Sequence, residues 1–158
     1  MIDTQAISER FFSCYHGKSR RDLARLFEVR KQTITSWATR AKVPWERLKY
    51  LSDSQAISWD WLLDGLGPKE STKEPVVPPS TQPQFDTLGI NQRFLSLFGE
   101  MSQTEIAKIF DITPAAVNEW KAGTSQVAWK RLDYAVCEFG VRWDWLIDGL
   151  EPKYRRKR

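Results

Sequence analysis

Cysteine and histidine are nearly missing from this chain: its 158 residues hold two cysteines, Cys14 and Cys137, and one histidine, His16. Neither cysteine belongs to a CxxC or a Cys/His cluster, which argues against a disulfide framework or a zinc site and leaves small buried or half-buried thiols as the expectation. A single histidine in the turn-like stretch "YHGK" is a poor ligand or catalytic base. Long hydrophobic runs are absent as well; none approaches the roughly 20 residues needed to cross a bilayer. The first residues, MIDTQAISER, lack the basic-then-apolar layout of a secretory leader. Carboxylates spaced i, i+4 occur at Asp60/Asp64 and Asp144/Asp148, but no histidine, metal cluster or glycine-rich loop accompanies them. The expectation is a non-enzymatic cytoplasmic protein without cofactor or metal.

Tryptophan, by contrast, is plentiful, with eight in the chain. Two sit in "SWDWLLDGLGPK", starting at Ser58, and two in "RWDWLIDGLEPK", starting at Arg142. Sliding the chain against itself by 83 residues extends the match, pairing Arg10 with Arg93, Phe11 with Phe94, Ala24 with Ala107 and Trp37 with Trp120. One inserted residue after Trp120 then pairs Trp45, Arg47 and Tyr50 with Trp129, Arg131 and Tyr134. About a third of the aligned positions are identical, which predicts one small domain present twice. Between the copies lies "STKEPVVPPSTQPQF", holding four of the eight prolines. It predicts a semi-rigid spacer that reaches roughly 45 Å at about 3.1 Å per residue. The expected layout is residues 1–70, a linker 71–85, residues 86–153 and a basic tail 154–158.

Each copy predicts five short helices. Asp3 or Thr4 caps the first, and Ser19 the second, with Leu23, Leu26 and Phe27 facing inward. Ile34 and Trp37 anchor the third, Pro44 opens the fourth, and Ser58 starts a fifth that stops at Gly65. In the second copy Ser102 precedes Ile106, Ile109 and Phe110, while Thr113 and Pro114 form an N-cap followed by an N1 proline. So small a bundle has little core, and tryptophans burying on the order of 200 Å² each make up the deficit. The WDWL repeat therefore reads as core.

Within each copy, a capped helix with alanine at the crossing, a tight turn and a second capped helix with one polar face form a helix-turn-helix pattern. It spans Ser19–Arg40 and Ser102–Gly123. The A-x-x-F-[DE]-[VI] turn, the tryptophan ending the second helix, "VPWERL" and the closing "WDWLLDG" resemble the helix-turn-helix domain of phage CI-type repressors, within the Cro/CI group. The resemblance implies an all-α fold of two tandem lambda-repressor-like five-helix bundles, acting as a cytoplasmic, nucleoid-associated regulator on double-stranded DNA.

By the docking this resemblance implies, Arg30, Lys31, Gln32, Thr33, Thr35 and Ser36 lie at base edges, as do Pro114, Ala115, Asn118 and Glu119 in the second copy. Lysine suits guanine and glutamine suits adenine. Expected phosphate contacts are Ser19, Arg20, Arg21, Arg40 and Lys42, then Ser102, Gln103 and Lys121, and the tail residues Arg155, Arg156, Lys157 and Arg158. The site is expected to be bipartite, with the first copy dominant. Residues 1–70 hold 12 Lys/Arg against 9 Asp/Glu, whereas residues 86–158 hold 11 against 10, four of the 11 in the tail. The acidic remainder of the second copy keeps a second reading open, an adapter that binds a regulatory protein or another copy of itself.

Overall fold

The computed structural model describes residues 1–156, and the tail residues Lys157 and Arg158 lie outside it. The chain divides into two compact units, one spanning Ile2–Phe85 and the other beginning at Asp86.

In the first unit the helices are α1 (Thr4–Ser13), α2 (Arg20–Leu26), α3 (Lys31–Thr39), α4 (Trp45–Gln55) and α5 (Trp59–Asp64). Asp3 caps α1 by accepting from the Ala6 amide at 3.1 Å. Ser19 and Asp22 form a reciprocal capping box on α2, which satisfies two amides that a helix start otherwise leaves unpaired. Phe27 meets Tyr15, Trp37 and Tyr50 edge to face in the core, Phe11 meets Tyr15 the same way, and the Phe11 and Phe27 rings are tilted by 32°. The Arg47 guanidinium lies 5.3 Å from the Phe27 ring centre and 5.7 Å from that of Trp37, within cation–π range. Arg10 ties α1 to the end of α5, donating to the carbonyls of Leu62 and Leu63 at 2.8 Å each. Its guanidinium stands 3.1 Å from where a Cβ on Gly65 would be, and Gly65 has φ +69°, so glycine alone fits there. After α5 the chain returns through an antiparallel bridge, Ser58 N–H to Lys69 O at 2.8 Å and Ser71 N–H to Ala56 O at 2.7 Å.

The repeated signature splits into two roles. Trp59, Leu62 and Leu63 are fully buried, but Trp61 is half-buried with the Lys69 ammonium 5.4 Å from its ring. Residues 71–85 also differ from a free spacer, because they lie along α4. Lys73 reaches Ser52 and Asp53, the Val76 amide donates to Asp53 O, and Arg47 donates to both Thr81 oxygens. Phe85 packs on Trp59 with ring centres 5.9 Å apart. A sequence stretch of prolines and polar residues does not disclose such docking, since its partners on α4 lie 20 to 34 residues away in the chain.

The second unit holds α6 (Thr87–Ser96), α7 (Gln103–Phe110), α8 (Pro114–Ala122), α9 (Trp129–Phe139) and α10 (Trp143–Asp148). Arg93 donates to Leu146 O and Ile147 O at 2.9 and 2.7 Å, as Arg10 does in the first unit. Asn91 knits α8 to the loop after it, donating to Trp120 O and Ser125 O and accepting from the Val127 amide. The closing bridge recurs as Arg142 N–H to Lys153 O and Arg155 N–H to Gly140 O. Tyr154 and Arg155 thus belong to the fold and not to a loose tail. Two further expectations need correction. Ile109 is 43% exposed and Phe110 only half-buried, because they lie toward the outer edge of α7. Cys137 is exposed where a covered thiol was expected.

Candidate nucleic-acid interface

The α2–α3 pair is set by its turn. Glu28 sits at φ +54°, which lets the Val29 amide reach Ala24 O at 3.0 Å and reverses the chain within four residues. Ala24 is buried where α2 and α3 pack, and a larger side chain would push them apart. Ile34 and Trp37 bury one face of α3, and Ser8 holds the Trp37 carbonyl from α1. The opposite face is thereby fixed outward. Lys31 and Gln32 are exposed in the first turn, while Thr33, Thr35 and Ser36 are half-buried.

The other expected residues fall around this face unevenly. Arg20, from the first turn of α2, donates to the Thr35 hydroxyl at 3.1 Å and so lies against α3. Thr35 itself donates to Lys31 O, so its hydroxyl is engaged within the protein. Arg21, Arg40 and Lys42 are exposed. Arg30 is the N-cap of α3, but it makes no side-chain cap; the expectation of a capped second helix fails here, because arginine has no acceptor to offer. The Ser19 and Ser102 hydroxyls are occupied by their capping boxes. Residues 20–42 carry seven Lys/Arg against two Asp/Glu.

In the second unit Asp111 takes the same backbone role at φ +51°, with the Ile112 amide on Ala107 O at 3.0 Å. Thr113 caps α8 through the Ala116 amide, and Val117 and Trp120 are buried. Pro114, Ala115, Asn118, Glu119 and Lys121 are exposed, and Gln103 is half-buried. Residues 103–126 carry two Lys/Arg against three Asp/Glu. At the end of this unit Arg155 is drawn into the closing bridge, leaving Arg156 exposed.

Among the described residues no group of three His, Cys, Asp or Glu side chains is placed to hold a metal ion. No described helix is long and apolar enough to cross a membrane. Sequence reasoning missed Arg10 and Ser8, which position α1 against α5 and α3. The signal for Arg10 was its recurrence as Arg93; Ser8 has no such signal, because Asn91 replaces it.

The α2–turn–α3 geometry defines a helix-turn-helix, and residues 6–70 match the bacteriophage CI repressor helix-turn-helix domain family. The chain is similar to the Repressor protein CI of Enterobacteria phage phi80, at 33% identity over 79 residues. That alignment covers 49% of this chain and 34% of the relative, so the chain spans about a third of the relative's length. No solved structure matches.

Proposed function

We propose that this protein is a phage-type transcriptional repressor whose first unit reads double-stranded DNA through α3. The observation carrying this reading is the exposed Lys31–Gln32 pair, fixed outward by buried Ile34 and Trp37 inside the segment similar to CI repressors. Lys31 donates to a guanine edge, Gln32 pairs with adenine, and Ser36 supports the register. Arg20, Arg21, Arg40 and Lys42 bind backbone phosphates, which position α3 without reading sequence. The second unit is a further copy of the domain. Its α8 reads a dissimilar half-site more weakly, making the whole site bipartite and not palindromic.

Selection of bound sequences from a random duplex pool, followed by a salt titration, tests this. A preferred site and a log–log salt slope of about −0.9 per phosphate neutralised are expected. Binding with neither preference nor salt dependence overturns the reading. The acidic balance around α8 favours a second account for that unit, in which it binds protein.

A further inference from the structure

A groove of about 410 Å³ lies in the first unit, lined from α1, the loop after it, α2 and α3. That volume falls within the range of small-molecule sites, about 300–1,000 Å³. Phe12, Leu23 and Ala38 give the groove apolar lining. Its titratable lining residues are Glu9 on α1, His16 and Lys18 in the loop, and Arg20 on α2. Glu9 accepts from the Gln5 side-chain amide at 2.9 Å but forms no ion pair among the described residues. Arg20 donates to the Thr35 hydroxyl at 3.1 Å, and neither it nor Lys18 forms an ion pair among those residues. Asp22 feels the Lys18 charge, but its carboxyl is held by Ser19 and does not line the groove. One acid and two cations therefore share a cavity without neutralising one another.

We infer that this groove binds a free α-amino acid with an apolar side chain. The ligand ammonium donates to the Glu9 carboxylate, which Gln5 only partly occupies. The ligand carboxylate accepts from Arg20 and Lys18, the planar guanidinium matching its two oxygens. The side chain lies on Phe12, Leu23 and Ala38, away from water. A plain anion would meet the Glu9 charge, and a plain amine would meet two cations, so only a molecule carrying both charges is matched. The second unit supplies an internal contrast. Gln92, Met101 and Gln103 stand where the first unit has Glu9, Lys18 and Arg20, so the three charges are missing together. Its Glu100 and Lys121 occupy the places of Gly17 and Ala38, which puts an ammonium where the first unit has apolar lining. One chain therefore takes up one ligand. Occupation of the groove does not require DNA, and it is tested without DNA.

Two-dimensional NMR on the isotope-labelled full chain, titrated with L-leucine, L-methionine and L-phenylalanine, is the measurement. At least one should shift the amides of Glu9, Phe12, Leu23 and Ala38 saturably, with a Kd of about 1 mM or below. The amides of Leu95, Ile106 and Lys121 should stay in place. Analogues of the binder that lack one charge (for leucine, 4-methylpentanoate and isopentylamine) should bind about tenfold more weakly or worse. Glu9→Gln and Arg20→Gln should each weaken binding about tenfold, and Lys18→Met by less. Each substitution installs the residue that the second unit carries at that place, so circular dichroism should show an unchanged fold. No saturable shift with any of the three amino acids would overturn the proposal. So would a one-charge analogue that binds like its parent, equal shifts in both units, or Glu9→Gln and Arg20→Gln variants that bind like wild type.

Discussion

The α2–α3 and α7–α8 pairs are held by the same backbone bonds, yet they present different chemistry. Val29 to Ala24 and Ile112 to Ala107 close the turns at the same 3.0 Å, and the buried anchors Ile34/Trp37 and Val117/Trp120 correspond. Outward, α3 offers Lys31 and Gln32 amid cations, whereas α8 offers Pro114, Ala115 and Glu119. Holding residues and presenting residues are separate sets in such a domain. One scaffold can therefore be retained while its surface changes sign. The same separation appears between α4 and α9: residues 71–85 lie along α4, while α9 exposes Tyr134.

The holding set should show the largest effects. Trp59→Ala removes a fully buried ring and should cost about 3–5 kcal/mol, most of a small domain's stability. Trp61→Ala, on a half-buried ring, should cost less than half as much. In the second unit Trp143 and Trp145 are both buried, so that gap should narrow there. Denaturation followed by circular dichroism measures all four. Equal losses at Trp59 and Trp61 would remove the distinction between core and cover.

Next comes the pair of arginine clamps. Arg10→Ala and Arg93→Ala each leave two helix-end carbonyls without their charged donor, and each should cost about 2 kcal/mol. Lysine cannot span two carbonyls with a planar fork, so Arg10→Lys should recover less than half of that. Full rescue by lysine would show that charge, and not the two-pronged geometry, holds α1 to α5.

The presenting set is tested on DNA. Lys31→Ala or Gln32→Ala should weaken binding at the selected site by about 1–3 kcal/mol and relax preference at one base pair. Ala115→Ser or Glu119→Gln should have a smaller effect. Fluorescence anisotropy against the selected and scrambled duplexes decides between them. If the α8 substitutions dominate, the asymmetry between the units is reversed.

The scaffold was legible in the sequence because its signals are local. Asp3, Ser19, Ser102 and Thr113 stand as caps where their residue types and spacing placed them, and Gly65 ends α5 in the left-handed conformation. Capping needs only a few consecutive residues, so sequence carries it directly. The docking of 71–85 on α4 was not legible, because Thr81 and Arg47 are 34 residues apart and their bond uses a backbone carbonyl as well as a hydroxyl. For the candidate site, sequence placed Lys31 and Gln32 outward through the period of Ile34 and Trp37. It did not reveal that Thr35 and the two cap serines spend their hydroxyls inside the protein, or that Arg155 joins a bridge.

A smaller comparison concerns the end of α4. Ala56 caps it at φ +52°, while Gly140 caps α9 at φ +65°. An alanine in the left-handed region is strained by about 1–2 kcal/mol, and glycine returns part of that as unfolded-state entropy. Ala56→Gly should therefore stabilise the first unit by about 0.5 kcal/mol, and Gly140→Ala should destabilise the second by about as much. Chemical denaturation of both variants checks the sign. A destabilised Ala56→Gly would mean that packing of the Ala56 methyl, which is buried, outweighs the backbone strain.

The capping boxes give the smallest effect and separate the two units least. The Ser19 amide and hydroxyl hold the Asp22 carboxyl below its ordinary range, and the Ser102 amide and hydroxyl do the same for Glu105. A carboxylate whose folded pKa is depressed adds stability above its unfolded pKa, about 3.9 for Asp and 4.3 for Glu. That stability is lost as pH falls through the lower folded value. Between pH 8 and 5 the melting temperature of wild type should exceed that of the Asp22→Asn/Glu105→Gln double variant by a constant amount. Below about pH 4.5 the gap should shrink, because protonation removes from wild type what the amides already lack. Both carboxylates are fully exposed, so the gap is small and salt should change it little, the donors being backbone amides and hydroxyls instead of ions. Melting curves that stay parallel down to about pH 3 would show that neither box contributes through its charge.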